Sequence, residues 1–282
     1  MDNINITTAK EYDISLQVDD IRIEGKIKVG ENGIKLAYST FTEVPQVFDF
    51  SDMSGMTNMN YMFAGCESLT TIPEMNTSEA TDMYGMFWFC RALTSIPALD
   101  TSKVTTMNQM FYYCQTLTTM PPLNTSNVTD MHEMFCGCSS LTTIPLMNTS
   151  RVTDMEEMFY RCESLITVPA MDTSKVTTML RMFEFCRALT TIPEMDASNV
   201  TDANGMLWGC SRLTDLGGFV GLKAALDVSS CTALTHNSLM NIINKVGYVT
   251  MSPKTLKLGS TNLAKLSDEE KAVATGKGWI LA

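Results

Sequence analysis

Asn124-Thr-Ser-Asn-Val-Thr-Asp-Met-His-Glu-Met-Phe-Cys-Gly-Cys-Ser-Ser-Leu-Thr-Thr-Ile-Pro-Leu-Met147 is one copy of a 24-residue unit. The chain repeats this unit about seven times without slipping a residue. A fixed period of this length is the signature of a solenoid, in which each repeat contacts only its neighbours.

Across the copies the unit reads [Asn/Asp]-Thr-Ser-x-Val-Thr-x-Met-x-x-Met-Phe-x-x-Cys-x-x-Leu-Thr-Thr-Ile-Pro-x-[Met/Leu]. Met131, Met134, Phe135 and Cys138 fall at i, i+3, i+4 and i+7, which predicts a short helix with one buried face. Thr129 is placed to cap it, and Thr153-Asp-Met-Glu156 in the next copy has the spacing of a capping box. Leu141-Thr-Thr-Ile-Pro145 is β-prone and stopped by proline, predicting one short strand per coil. Asn148-Thr-Ser150 makes the turn, and Val152 returns the chain to the core. An isolated coil cannot bury enough apolar surface to offset the entropy of ordering it. Stacking completes the burial.

Seven of the nine cysteines, Cys66, Cys90, Cys114, Cys138, Cys162, Cys186 and Cys210, are spaced one repeat apart. They lack the short local spacings of zinc ligands. Side chains stacked in one direction at strand spacing rarely meet disulfide geometry. The ladder is therefore expected to pack as small buried hydrophobes. The repeat accounts for the abundance of methionine, 23 residues: its Met stripe belongs to the same core, being unbranched and adaptable, and is not a metal or redox device.

Outside the array the pattern changes. Ile14–Val18, Ile21–Val29 and Ile34–Tyr38 alternate or are β-prone between turn residues, so residues 1–51 are expected to form an N-terminal β-rich cap over the first coil. The regular repeats occupy 52–216. Residues 217–282 are expected to be a C-terminal cap of longer strand–helix units: a strand and turn at Ala225–Thr235, a helix at Asn237–Val246 and a strand at Lys254–Leu258. A Ser267-to-Glu270 capping box then opens a helix through Thr275, and Trp279–Leu281 closes as a strand. The overall expectation is an α/β chain: a right-handed leucine-rich-repeat solenoid with one short strand and one short helix per coil, capped at both ends.

The net charge is −11. Residues 217–282 hold seven lysines against four acids, so the first 216 residues carry −14. Such acidity argues against nucleic acid as a partner. No stretch reaches the ~20 apolar residues of a membrane span. The N-terminus, Met1-Asp-Asn-Ile-Asn-Ile, has neither the basic nor the apolar region of a secretory signal, so no such signal is expected in this chain.

Phe135-x-x-Cys138-x-x-Leu141-Thr-Thr-Ile-Pro145 followed by Ser150-x-Val-Thr-x-Met155 resembles the bacterial BspA-like leucine-rich-repeat surface proteins. The resemblance is to their Met-Phe-rich branch, also seen in mycoplasma lipoproteins, and covers residues 52–216. It implies a right-handed solenoid displayed on a bacterial cell surface or outside the cell, some members of the family binding host matrix proteins. This chain departs from the family in its N-terminus, which leaves a cytoplasmic or phage-associated location as the alternative.

Chemistry is sparse. The only histidines, His132 and His236, lie in different segments, and there is no phosphate loop, nucleophile elbow or zinc-protease motif. The best local cluster is His132-Glu133 with Cys136 and Cys138. Other copies replace His132 by Asn, Glu or Leu and Cys136 by Trp or Tyr, so this cluster is read as a variable surface, with no metal or cofactor expected. The Asn-x-Ser/Thr triplets at Asn76, Asn124, Asn127, Asn148 and Asn199 match a glycosylation pattern but are also what hydrogen-bonded turns require. The Thr ladder Thr70, Thr94, Thr118, Thr142 and Thr190 suits a strand face.

The positions just before each ladder cysteine are not fixed by stacking. They carry Trp88, Phe89, Tyr112, Tyr113, Tyr160, Phe185 and Trp208, with Arg161, Arg181 and Glu184 nearby. If aligned, they form an aromatic stripe of interface composition; the competing reading packs the rings between coils over the Met core. The sequence thus points to a non-enzymatic binding or adhesion module for a protein or glycan, with a structural spacer of a phage or mobile element as the alternative. Oligomeric state is not encoded in the repeat.

Overall fold

The Met-Phe segment of each coil divides its backbone amides between two jobs. The structure, a computed structural model, describes residues 10–18, 21–30, 33–35, 42–43, 53 and 55–282. In the coil of Cys138, the amides of Met134, Cys136 and Cys138 donate to the carbonyls of Met131, Glu133 and Phe135, three residues back, at 3.2, 3.1 and 3.0 Å. The intervening amides of Met131, Glu133, Phe135 and Gly137 donate outward to Asp154, Glu156, Met158 and Tyr160 of the following coil, at 3.2, 2.9, 3.0 and 2.7 Å. The segment is a chain of overlapping turns, not the helix expected from its spacing.

The correction has a geometric cause. An α-helix keeps its amides to itself and is about 10–12 Å across, whereas coils paired backbone to backbone stack about 4.8 Å apart. A helix on this side would pry the coils open. The turn chain allows direct bonding from coil to coil, and it requires left-handed backbone at two points, here Glu133 at φ 52° and Gly137 at φ 74°. The same two positions are left-handed in the other coils, for example at Gln109 with Tyr113 and at Glu157 with Arg161. The i, i+3, i+4, i+7 pattern still turns its apolar residues inward, so the predicted core is right although the helix is not.

Outside the Met-Phe segment the amides bond in the reverse direction: the Thr142 amide donates to the Thr118 carbonyl and that of Thr129 to Thr105, both in the preceding coil. The strand expectation is met only in reduced form. Proline supplies no amide, so the run stops after one or two residues. Along most of the array the coils meet through single parallel bridges, such as those joining Asn58, Asp82, Thr106, Asp130, Asp154, Thr178 and Asp202 in series.

Regular elements lie at the ends. β1 (Lys10–Val18), β2 (Ile21–Gly30) and β3 (Gly33–Lys35) form an antiparallel sheet in that order, as the alternation predicts; residues 36–38 of the third expected strand fall outside the described residues. So does the expected covering of the first coil, apart from Thr42 and Glu43, which bond to Thr70 and Thr71 of that coil. In the last coils β4 (Thr191–Ile192) pairs with β6 (Asp215–Leu216), and β5 (Met195–Asp196) with β7 (Phe219–Val220), all parallel.

The C-terminal segment follows its sequence closely. β8 (Leu226–Asp227), β9 (Thr255–Lys257) and β10 (Ile280–Leu281) make a parallel sheet with β9 in the middle. α1 (His236–Lys245) is capped by Thr235, a short α2 spans Ser260–Leu263, and α3 (Asp268–Gly276) opens on the predicted Ser267–Glu270 capping box. Lys277 closes α1 by donating to the carbonyls of Ile243, Asn244 and Val246 at 3.0, 2.6 and 3.0 Å, a cation placed where the helix leaves its carbonyls unpaired.

The core runs the length of the array as parallel ladders. Phe63, Phe87, Phe111, Phe135, Phe159 and Phe183 are fully buried, their rings stacked at centroid spacings of 5.5–5.7 Å and nearly parallel. The methionine pairs flank them, equally buried. All nine cysteines are buried thiols. The ladder thiols are more than hydrophobes: each from Cys90 to Cys210 donates to the carbonyl of the phenylalanine one coil back, at 3.0–3.2 Å.

The Asn-Thr-Ser turns use all three side chains. Asn124 Oδ1 accepts from the amide and hydroxyl of Ser126, while Thr125 is turned inward and donates to the Asn148 carbonyl of the next coil at 2.8 Å. The triplet therefore has a complete structural role.

Candidate functional site

The two positions before each ladder cysteine lie in the last overlapping turns of the Met-Phe segment, where the rings are partly exposed while Ala64, Cys136 and Glu184 are buried. Successive coils bring them into register, but into two groups rather than one stripe. In the first group Trp88 stacks on Tyr112 at 6.1 Å and Phe89 on Tyr113 at 5.1 Å. Edge contacts from Tyr61 to Tyr84 and Trp88, at 4.9 and 6.4 Å, extend it by one coil. Sequence reasoning missed Tyr61 and Tyr84 because they sit five and six residues before their ladder cysteines, not one or two. In the second group Phe185 lies 6.1 Å from Tyr160 and 6.3 Å from Trp208.

Arginines cover both groups. Arg91 sits 4.8 Å above Phe89, Arg161 stands 5.0 Å above Phe185 and 5.4 Å from Tyr160, and Arg187 lies 5.7 Å from Phe185. The rings are half-buried against one another and Trp208 is 60% exposed. Burial pushes the Tyr112 and Tyr113 hydroxyls above their ordinary range, aided by Cys136. The rings thus pack coil on coil, as the competing reading expects, while their partly exposed edges lie beside guanidinium groups.

The interruption is the coil of Cys138, which carries Cys136 and Gly137 where its neighbours carry rings. Gly137 has no side chain because the Tyr113 ring fills the space: a Cβ there would meet it at 2.8 Å. Beside this gap the structure gathers charged groups from two coils. His132 Nε2 lies 3.3 Å from Glu133 Oε2, and its Nδ1 lies 3.8 Å from Asp154 Oδ1. These carboxylates, Asp154 first, hold the imidazole proton up to about 10. In return His132 holds Glu133 below the usual carboxylate range. Asp154, which burial alone would raise, is kept low by His132 and by the Glu156 amide. Glu156 is raised, first by burial and then by neighbouring acids. Arg181 pairs with Glu157 at 3.3 Å and Glu184 at 3.4 Å.

Two sets of donor atoms come within 4.8 Å of one another here: His132, Asp154 and Glu156, and Glu133, Cys136 and Glu157. Sequence reasoning grouped His132, Glu133, Cys136 and Cys138 as a local cluster, but the partners supplied by the next coil were out of its view. Cys138, from the same sequence cluster, is buried in the ladder instead, its thiol pushed up to about 12 by burial. Burial likewise raises Cys136, so none of these thiols is poised as a nucleophile at neutral pH.

Among the described residues no helix is long and apolar enough to cross a membrane. In structure, the chain is similar to a leucine-rich repeat protein of T. pallidum at 20% identity and a TM-score of 0.49, over 67% of this chain and 87% of that one. It also matches the TLR13–ssRNA13 complex at 14% identity and a TM-score of 0.33, over 71% of this chain and 28% of that one. No curated protein matches it in sequence. The family model described as "Mycoplasma protein of unknown function, DUF285" matches residues 33–143 and 119–218, which together take in every coil of the cysteine ladder. The chain belongs to this family of BspA-like leucine-rich-repeat proteins.

Proposed function

We propose that this protein is a non-enzymatic binding or adhesion module, a right-handed solenoid over residues 52–216 between two caps, associated with a bacterial surface and presenting its long side to a protein or glycan. The observation that carries the reading is the pair of partly exposed aromatic–arginine groups on the turn chain. Rings braced by their neighbours lose little entropy on binding, and tyrosine, tryptophan and arginine dominate binding energy where interfaces have been dissected. Flat rings also suit the apolar faces of sugars. The acidity of the array disfavours polyanions as partners.

The test is a fourfold Trp88, Tyr112, Tyr160 and Trp208 to alanine variant, compared with the parent chain on a glycan panel and on immobilised extracellular-matrix proteins. Loss of at least tenfold in affinity for whatever the parent binds supports the reading; unchanged binding by a folded variant removes the aromatic face from it. Fractionation of the native cells separates a surface module from a spacer of a phage or mobile element, which would be found inside the cell or in a particle.

A further inference from the structure

We propose that the middle of the array holds a divalent metal ion of the zinc type, bound by His132, Asp154 and Glu156 across two adjacent coils. The ligand atoms of these three residues lie within 4.8 Å of one another. His132 Nδ1 stands 3.8 Å from Asp154 Oδ1. That is too long for a hydrogen bond. It is close to the ~3.4 Å that separates two tetrahedral ligands each about 2.0–2.1 Å from a zinc ion.

The surroundings hold the ligands in place. Glu133 Oε2 faces the other ring nitrogen, Nε2, at 3.3 Å, the carboxylate–histidine arrangement that leaves Nδ1 free for a metal. Glu133 is itself held by a hydrogen bond from the Gln109 side-chain amide one coil back. Asp154 Oδ1 accepts the Glu156 amide at 2.9 Å, which fixes that carboxylate. This combination occurs in one coil pair only: the position of His132 carries Asn60, Tyr84, Asn108, Glu156, Leu180 and Asn204 in the other coils.

A nitrogen ligand selects zinc, nickel or cobalt over magnesium and calcium, which favour all-oxygen sites. Two carboxylates and a neutral imidazole neutralise the dication, and binding releases the imidazole proton. The three residues are all partly exposed, so water or a group from a partner can complete the coordination. The proposal does not rest on what the aromatic groups bind, although Gln109, which holds Glu133, also accepts from the Tyr84 hydroxyl at 3.1 Å.

The repeat supplies its own test substitutions, because other coils already tolerate them. His132→Asn, Asp154→Thr and Glu156→Asn install residues found one or two coils away at the same positions. The chelator-treated full chain is titrated with Zn2+ by calorimetry and with Co2+ by visible absorption. One ion per chain is expected, unaffected by excess Mg2+ or Ca2+. Each ligand substitution should weaken binding at least tenfold, and Glu133→Gln by about 10-fold through the orientation of the ring. Cys136→Ala should leave it unchanged. Absence of stoichiometric binding overturns the proposal. Equal affinity in His132→Asn also overturns it, whether the ion then proves adventitious or depends on Cys136.

Discussion

The thiol of Cys138 donates a hydrogen bond of 3.0 Å to the carbonyl of Phe111 in the preceding coil, and that carbonyl also accepts the amide of Cys114 at 3.1 Å. One phenylalanine carbonyl thus closes a turn in its own coil and receives the next coil, which explains a cysteine where an alanine would fill much of the space. Cys138→Ala should lose this bond and a sulfur-sized volume, costing about 1–2 kcal/mol in a denaturant titration. All nine thiols should stay silent to an aromatic disulfide reagent in the folded chain and react together on unfolding, since burial both hides them and raises the ladder thiols.

The inward threonines allow a paired prediction. Thr149 donates to the Asp172 carbonyl at 2.9 Å, whereas Thr173, equally buried at 1% exposure, has no partner for its hydroxyl. Thr149→Val should cost about 1–2 kcal/mol, while Thr173→Val should be neutral or stabilising by up to about 1 kcal/mol. Chemical unfolding of the two variants side by side reads this out; equal losses would show that the hydroxyls do not act as described.

Gly137 and Tyr113 should behave as a coupled pair. The left-handed backbone is not itself prohibitive at this position, since Phe89, Tyr113, Arg161 and Phe185 occupy it in other coils. The ring contact decides the outcome. Gly137→Ala should destabilise by about 2–4 kcal/mol, and a Tyr113→Ala background should return at least about 1 kcal/mol of that loss. A double-mutant cycle from thermal or denaturant unfolding measures it.

In metal-free protein, His132 should make stability depend on pH. Its folded-state value is raised from 6.5 to about 10 by Asp154 and Glu133. The folded chain therefore holds the proton more tightly than the unfolded one, and the contribution is complete below pH 6.5 and lost as pH rises through 10. Because the ring is partly exposed, water screens the pairs and the effect should be on the order of 1 kcal/mol. The unfolding free energy of chelated parent chain minus that of His132→Asn, followed across this window, should fall toward zero at the alkaline end.

The sequence by itself determined the period, the stacking, the core ladders, the N-terminal strand pairing and the strand–helix order of the C-terminal segment. Spacing along one coil is repeated in every other, so Met131, Phe135 and Cys138 could be assigned to the core without coordinates. The capping box at Ser267 was equally legible, because its bonds are local. Tertiary structure decided what depends on the coil above and below. The Met-Phe stripe satisfies a helix and a chain of turns alike, and only the close stacking of the coils, which leaves no room for a helix, chooses between them. It also divided the aromatic residues into two groups, through the missing side chain at Gly137. And it set Asp154 and Glu156, more than twenty residues along the chain, against His132, a proximity that one repeat read alone could not contain.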